Sequence, residues 1–256
     1  MNATGRLSGR GVVVTRPREL AEPFARLLEQ HGARAIVFPA LEIQPLPPPP
    51  TLGRIADFDL VVFVSPSAVR VTLAALPRRL TAAAIGAGTA RELERAGIGP
   101  VIAPVAGADS EALLALPQMH QLAGKRVLIV RGEGGRELLR DTFAEHGMVV
   151  ETREVYRRVR PNVDAAKVAE VEARWSDEGI DVVTATSIET LQNLQALLTE
   201  HGRQLLSGTA LLVPSRRIVA AAVSAGLRGE AIVAAGADDA SMIGALAQWR
   251  MRARAG

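Results

Sequence analysis

The chain contains no cysteine, which removes disulfides, thiolate nucleophiles and cysteine-ligated metals together. Aromatic residues are scarce: two tryptophans, one tyrosine and five phenylalanines make up 3% of the sequence, too few for a surface that stacks bases. Charge of one sign is lacking too. Thirty basic and 27 acidic residues are scattered along the chain for a net charge of +3, so no basic tail offers itself to nucleic acid. No uninterrupted apolar run approaches the ~20 residues that cross a bilayer, and no membrane partner is expected. The opening from Met1 to Gly11 is polar and glycine-rich, without the apolar stretch of a secretory signal, and a cytoplasmic protein is expected. No histidine pair has metal-ligand spacing, and H-E-x-x-H does not occur; no metal is expected.

What is present is 256 residues, 48% hydrophobic and 22% charged, enough for two cores rather than one. An internal repeat says how they are arranged. Val12-Val13-Val14 faces Val127-Leu128-Ile129, Arg16 faces Arg131, and His31-Gly32 faces His146-Gly147. A second block sets Phe58-Asp59-Leu60-Val61 against Ile180-Asp181-Val182-Val183, ending at Ser65 and Ser187. A third sets Ala96-Gly97 against Ala225-Gly226, and Ala106–Asp109 against Ala235–Asp238. Three matches in one order argue for two equivalent halves.

Each block reads as strand then helix. Val12–Val14, Leu60–Val64, Ala83–Ile85, Val127–Val130, Val182–Ala185 and Leu211–Val213 are short apolar runs, as strands buried on both faces should be, with Thr184 the one hydroxyl among them. Ala35–Phe38, Val149–Thr152, Val101-Ile102 and Ala231–Val233 add the return strands. Between them Leu20, Phe24, Leu27 and Leu28 share one helical face, as do Leu139 and Phe143. The expected fold is α/β: two flavodoxin-like parallel-sheet domains. Composition breaks at Pro45–Pro50 and at Arg157–Asn162, each after the first block of a half. Stiff, extended segments suit linkers. Residues 1–43 and 160–256 then form a discontinuous first domain, and residues 44–159 a continuous inserted one. The crossings Glu42–Leu46 and Glu154–Arg160 would lie side by side as a two-strand linker.

The titratable residues read mostly as structure. His31, His146 and His201 each precede a glycine at the end of a helical pattern, a helix-stop signature. Asp109 and Asp238 stand where N-caps belong. The turns Gly86–Arg91 and Gly132–Glu137 come after strands and open helices, but neither completes G-x-G-x-x-G or a P-loop. Backbone N–H groups at such turns bind anions, phosphate or carboxylate. The strand ends as a set carry Thr15-Arg16, Ser65 to Ser67, Gly86–Thr89, Arg131–Arg136, Thr186-Ser187 and Ser215 to Arg217. Donors dominate there and acids are nearly absent, so a ligand rich in negative charge is expected beyond the strand ends. Tyr156, the sole tyrosine, lies on the second crossing. It is either a half-buried packing residue with its hydroxyl in water or a weak general acid.

These residues carry a resemblance. Val14-Thr15-Arg16-Pro17, Phe38–Ile43, Val64-Ser65-Pro66-Ser67, Ile85-Gly86-Ala87-Gly88-Thr89 and Leu128–Gly132 with Gly135-Arg136 succeed one another in order. Tyr156 ahead of Pro161 and Val213-Pro214-Ser215 complete the series. In this order the chain resembles the uroporphyrinogen-III synthase family over essentially its whole length. The resemblance implies a cofactor-free lyase that closes hydroxymethylbilane, a linear tetrapyrrole with eight carboxylates, to uroporphyrinogen III. Water is lost and the last ring is inverted through a spiro intermediate. It implies Tyr156 as the catalytic donor, and Thr15, Arg16, Ser65, Ser67, Gly88, Thr89, Arg131, Gly132, Gly135, Ser187 and Ser215 as the substrate-binding set. A monomer in transient contact with hydroxymethylbilane synthase is the expected assembly, with direct handover of substrate left open. The competing readings are a two-lobed anion-binding module without catalysis and a nucleotide-dependent enzyme.

Overall fold

A computed structural model describes residues 7–47, 50–77, 79–105, 107 and 109–255, the side chains of 50–53 and 250–255 excepted. Met1–Arg6, Pro48-Pro49, Ala106, Ala108 and Gly256, on which parts of the sequence reading fell, lie outside the described residues.

The strands are β1 Gly11–Val14, β2 Arg34–Val37, β3 Glu42–Pro45, β4 Leu60–Phe63, β5 Ala82–Ala84, β6 Val101–Ile102, β7 Arg126–Gly132, β8 Val149–Val159, β9 Ile180–Thr184, β10 Ala210–Val213 and β11 Ala231–Val233. The helices are α1 Arg18–Gln30, α2 Pro66–Thr72, α3 Ala87–Arg95, α4 Ser110–Leu114, α5 Leu138–Glu145, α6 Ala165–Glu178, α7 Ile188–Leu197, α8 Glu200–Gly208, α9 Arg216–Ser224 and α10 Asp239–Ala255.

The chain divides into two compact units. Unit 1 takes the described residues up to Glu42 and those from Val159 onward; unit 2 is Ile43–Arg158. Unit 1 holds a sheet of order β11-β10-β9-β1-β2, with parallel pairing along it. Unit 2 holds the order β6-β5-β4-β7-β8-β3, parallel from β6 to β8. Read from the same edge, each strand of one sheet has its repeat partner at the same place in the other. Strand β3 is the addition in unit 2. It neighbours β8, and the Leu46 N–H donates to the Val155 carbonyl at 2.9 Å.

The apolar runs explain the layers. In β1, Val13 belongs to one buried cluster with Trp175, Leu194 and Val213, while Val12 and Val14 belong to another with Phe24, Leu28 and Met242. In β4, Val61 and Phe63 face Val69 and Leu93, while Leu60 and Val62 face Leu113 and Phe143. Successive side chains of a strand point to opposite faces, so a strand of valines and leucines requires helices on both. Two of the three expected helix stops hold: His31 and His146 end α1 and α5, and Gly32 and Gly147 come next with φ of 86° and 78°; Ala225 ends α9 in the same way ahead of Gly226, with φ of 83°.

The pair His201-Gly202 departs from that pattern. It opens α8 rather than ending a helix. The cause lies far off in sequence. Glu172 of α6 is buried, and its carboxylate accepts the Thr199 N–H at 2.8 Å and the Thr199 hydroxyl at 2.6 Å, just where α8 begins. An ionised side chain at a helix N-terminus meets unpaired N–H groups and the positive end of the helix dipole. Gly202 leaves room for it: a Cβ there would stand 2.1 Å from Glu172 Oε1.

Candidate functional site

In unit 2, Ser65 just past the carboxyl end of β4 and Tyr156 on β8 come together beside Gly132 at the end of β7. β7 and β8 run in register until a shift between Arg131 and Gly132, after which Gly132 pairs with Tyr156. The tyrosine ring then lies across Gly132, whose missing Cβ would otherwise stand 2.4 Å from Tyr156 Cζ. Tyr156 is only 1% exposed. Its hydroxyl is 3.0 Å from Ser65 Oγ and accepts from Arg158 Nη2 at 3.2 Å. The reading of a half-buried ring with its hydroxyl in water is therefore corrected: the ring is core, and the hydroxyl is held by protein. Ser65 is also the N-cap of α2, accepting the Ala68 N–H at 3.0 Å. Arg158 was missed in the sequence, although it stands two positions beyond Tyr156 on one strand and hence on the same face.

Beside this pair lies a pocket of about 230 Å³ lined by Val64, Ile85, Ile129 and Leu139, by Gly132, Gly134 and Gly135, and by Arg131, Arg136, Arg140 and Arg158. Gly134 and Gly135 have φ of 74° and 105°, a backbone conformation that side chains resist. They form the turn that carries the chain from the end of β7 toward α5. Asp109 and Ser110 complete the lining.

The expectation that acids are nearly absent from the strand ends is overturned. Arg131 Nη2 donates to Glu137 at 2.6 Å and to Glu154 at 3.2 Å. Arg136 forms a two-pronged pair with Glu111 at 2.5 and 2.8 Å. In unit 1, Arg16 is buried over the ring of Phe24 and donates to Asp239 at 2.5 Å. Arg16 and Arg131 are sheltered enough to require partners, and of those partners Asp239 and Glu154 stand 223 and 23 residues away in the sequence.

The other expected residues divide by unit. Thr15 is buried, and its hydroxyl donates to the Thr184 carbonyl at 2.5 Å, tying β1 to β9. Ser187 caps α7 through the Thr190 N–H at 3.0 Å. Ser215 stands at the N-cap of α9 without a side-chain capping bond. In unit 2, Ser67 and Thr89 are buried in the first turns of α2 and α3, and Gly88 is exposed beside Thr89. Ser65 and Ser187 thus double as helix caps, a signal that Ser or Thr before a helix gives on its own.

The ion pairs hold carboxylates in the charged form. Arg131 beside Glu137 keeps that carboxyl below its ordinary range, against a smaller opposing effect of desolvation. Arg136 does the same for Glu111. A group whose folded-state pKa is depressed contributes stability above its unfolded-state value, about 4.3 for glutamate, and loses it as pH falls through the folded value. The melting temperature is accordingly expected to stay level from pH 7 to about 5 and to fall below about 4. Glu137→Gln should flatten that fall. An unchanged acid limb in Glu137→Gln, measured by thermal melts across pH, would contradict the assignment.

Comparison with known proteins settles the family. The family model for uroporphyrinogen-III synthase HemD matches residues 22–244. The chain belongs to the uroporphyrinogen-III synthase family. It is 34% identical over 247 residues to the uroporphyrinogen-III synthase of Escherichia coli strain K12, covering 92% of this chain and 99% of that protein. It is also 34% identical over 250 residues to that of Salmonella typhimurium strain LT2, with the same coverage of 92% and 99%. Among solved structures, the uroporphyrinogen-III synthetase of Helicobacter pylori 26695 matches with a TM-score of 0.59 at 14% identity, over 95% of this chain and 99% of that one. A uroporphyrinogen III synthase of Thermus thermophilus matches with 0.54 at 19% identity, over the same shares. The α/β fold with parallel sheets is thus shared with structures of the family.

Proposed function

We propose that this chain is a cyclising lyase that converts hydroxymethylbilane to uroporphyrinogen III in tetrapyrrole biosynthesis. The observation that carries the proposal is the arginine- and glycine-lined pocket beside the Tyr156–Ser65–Arg158 hydrogen bonds, in a chain of this family. The bilane hydroxyl leaves as water after taking a proton, the terminal carbons join through a spiro intermediate, and the closing ring gives up one proton in return. Tyr156 supplies the proton. Ser65, which is partly exposed and in contact with the tyrosine hydroxyl, passes it outward. The arginines and the N–H groups of the Gly132–Gly135 turn hold acid side chains of the substrate, with Ser67, Gly88 and Thr89 beside the same sheet edge. Orientation of a flexible chain contributes many kcal/mol without a strong base. No cofactor enters this scheme.

The strand orders support two flavodoxin-like domains, 1–43 with 160–256 and 44–159, linked through β3 and β8. In the first domain the proposed residues are Thr15, Arg16, Ser187 and Ser215; there Thr15 and Arg16 act by shaping the turn after β1, since both are internally bonded. The reading carries with it a cytoplasmic monomer in transient contact with hydroxymethylbilane synthase. Among the described residues no helix is long and apolar enough to cross a membrane.

The test is to supply freshly made hydroxymethylbilane and separate the cyclised isomers. The type III isomer in excess is expected. Only the spontaneous type I product would refute the reading and leave a binding module.

A further inference from the structure

Arg131, which lines the pocket of unit 2, makes an ion pair for which the reaction has no use. Glu154 stands on β8, and its Oε1 accepts the Gly134 N–H at 3.0 Å and Arg131 Nη2 at 3.2 Å. A guanidinium and a backbone N–H converging on one carboxylate oxygen are the donors that a bound acid requires. Both donors line the pocket. Glu154 is not itself part of the lining, but it takes up donors that a ligand's acid would use.

Glu137 plays a different part. It takes Arg131 at 2.6 Å and lies 3.1 Å from Arg140 Nη1, so it fixes the guanidinium from the side of α5. The Nε of Arg131 is buried with no hydrogen-bond partner among the described residues, so the guanidinium has a donor to spare. The repeat supplies a comparison. Arg16, the counterpart of Arg131, meets Asp239 at 2.5 Å and the Ala237 carbonyl at 3.4 Å. Both arginines are met by internal acceptors, and Glu154 is the one of these acids that also holds the N–H of a glycine turn.

We propose that Glu154 is an internal stand-in for a substrate carboxylate, which must leave the Arg131–Gly134 cradle before the pocket accepts an acid group from outside. A tethered competitor acts at an effective concentration in the millimolar range or above. A small monocarboxylate does not displace it, whereas a molecule anchored elsewhere by further carboxylates does. Glu154 thus sets selectivity for polyacids. The identity of the ligand rests on the tetrapyrrole reading above; the mask itself is a property of the pocket.

The probe is uroporphyrin III, a stable octacarboxylate, titrated by fluorescence against the full chain. Glu154→Gln is expected to lower its Kd about tenfold, equivalent to about 1.4 kcal/mol. Glu151→Gln makes the same charge change on the same strand, at a residue paired with Arg153, and should alter Kd by no more than about twofold, the weight of a surface pair. In an Arg131→Ala background the gain from Glu154→Gln should vanish. The proposal is overturned by a folded Glu154→Gln that binds no tighter, by an equal gain from Glu151→Gln, or by a gain that survives loss of Arg131. Should Glu154→Gln not fold, Glu154→Asp keeps the charge and shortens the reach. It is expected to bind about threefold tighter, and native affinity there overturns the proposal equally. Absence of type III product, by contrast, would refute the reaction while leaving the mask to these titrations.

Discussion

Tyr156→Phe is expected to lower turnover by at least about 10²-fold, the lower end of what a positioned proton donor contributes. The substitution isolates the hydroxyl. The ring that packs across Gly132 is retained, while the contacts to Ser65 at 3.0 Å and Arg158 at 3.2 Å are lost. Lost hydrogen bonds of this kind cost about 1–2 kcal/mol of stability, so the variant should remain folded and its melting temperature serves as the control. Isomer composition is the second readout, since slower enzymatic closure leaves more substrate to close by itself. Native turnover with native isomer purity in Tyr156→Phe would remove the tyrosine from the chemistry.

A large loss of stability is expected from Gly132→Ala. The added methyl would stand 2.4 Å from Tyr156 Cζ and 2.5 Å from Cε2, inside the distance at which carbon atoms repel. The ring cannot yield easily, because Tyr156 belongs to a buried cluster with Phe63, Leu93 and Val130. Overpacking of a filled core costs about 1–3 kcal/mol, and a contact this short belongs at the upper end. Urea unfolding gives the value. Gly244→Ala in the middle of α10 offers the contrast, since nothing stands within 4 Å of its would-be Cβ. It should stabilise by about 0.5–1 kcal/mol through helix propensity. If the two alanines changed stability alike, the close approach of ring and backbone would be wrong. Activity in Gly132→Ala should fall as well, because displacing the ring moves the hydroxyl away from Ser65.

The parts of the fold legible in the sequence are those fixed by local pattern. Val12–Val14 and Leu60–Phe63 carry no polar residue, so both faces had to be covered, and parallel sheets between helices are the result. His31-Gly32 and His146-Gly147 end helices for reasons contained in the dipeptide itself. His201-Gly202 looks the same and behaves oppositely, because its environment is Glu172, a residue on another helix. The site shows the same division. Ser65 and Tyr156 stand out in the sequence as candidates for the chemistry, but the burial of Tyr156 depends on a register shift between β7 and β8 that no short segment encodes. Arg16 and Arg131 were identifiable as donors. Their partners were not: Asp239 is 223 residues from Arg16, and Glu154 reaches Arg131 only because two neighbouring strands place them side by side. Helical and strand periodicity report which face is buried, whereas the pairing of charges across a sheet is settled by the assembled strands.

The passage of the chain into unit 2 within β3 and back within β8 bears on how the protein is made. Strand β1 leaves synthesis early, yet β9, its neighbour on one side, is some 170 positions further along. Unit 2 has all six of its strands by residue 159, while the first sheet still lacks three of its five. As the nascent chain emerges, the inserted unit is therefore complete first. The opening segment, with only β2 of its sheet partners available, waits for the carboxyl-terminal third of the polypeptide before it has a core to join.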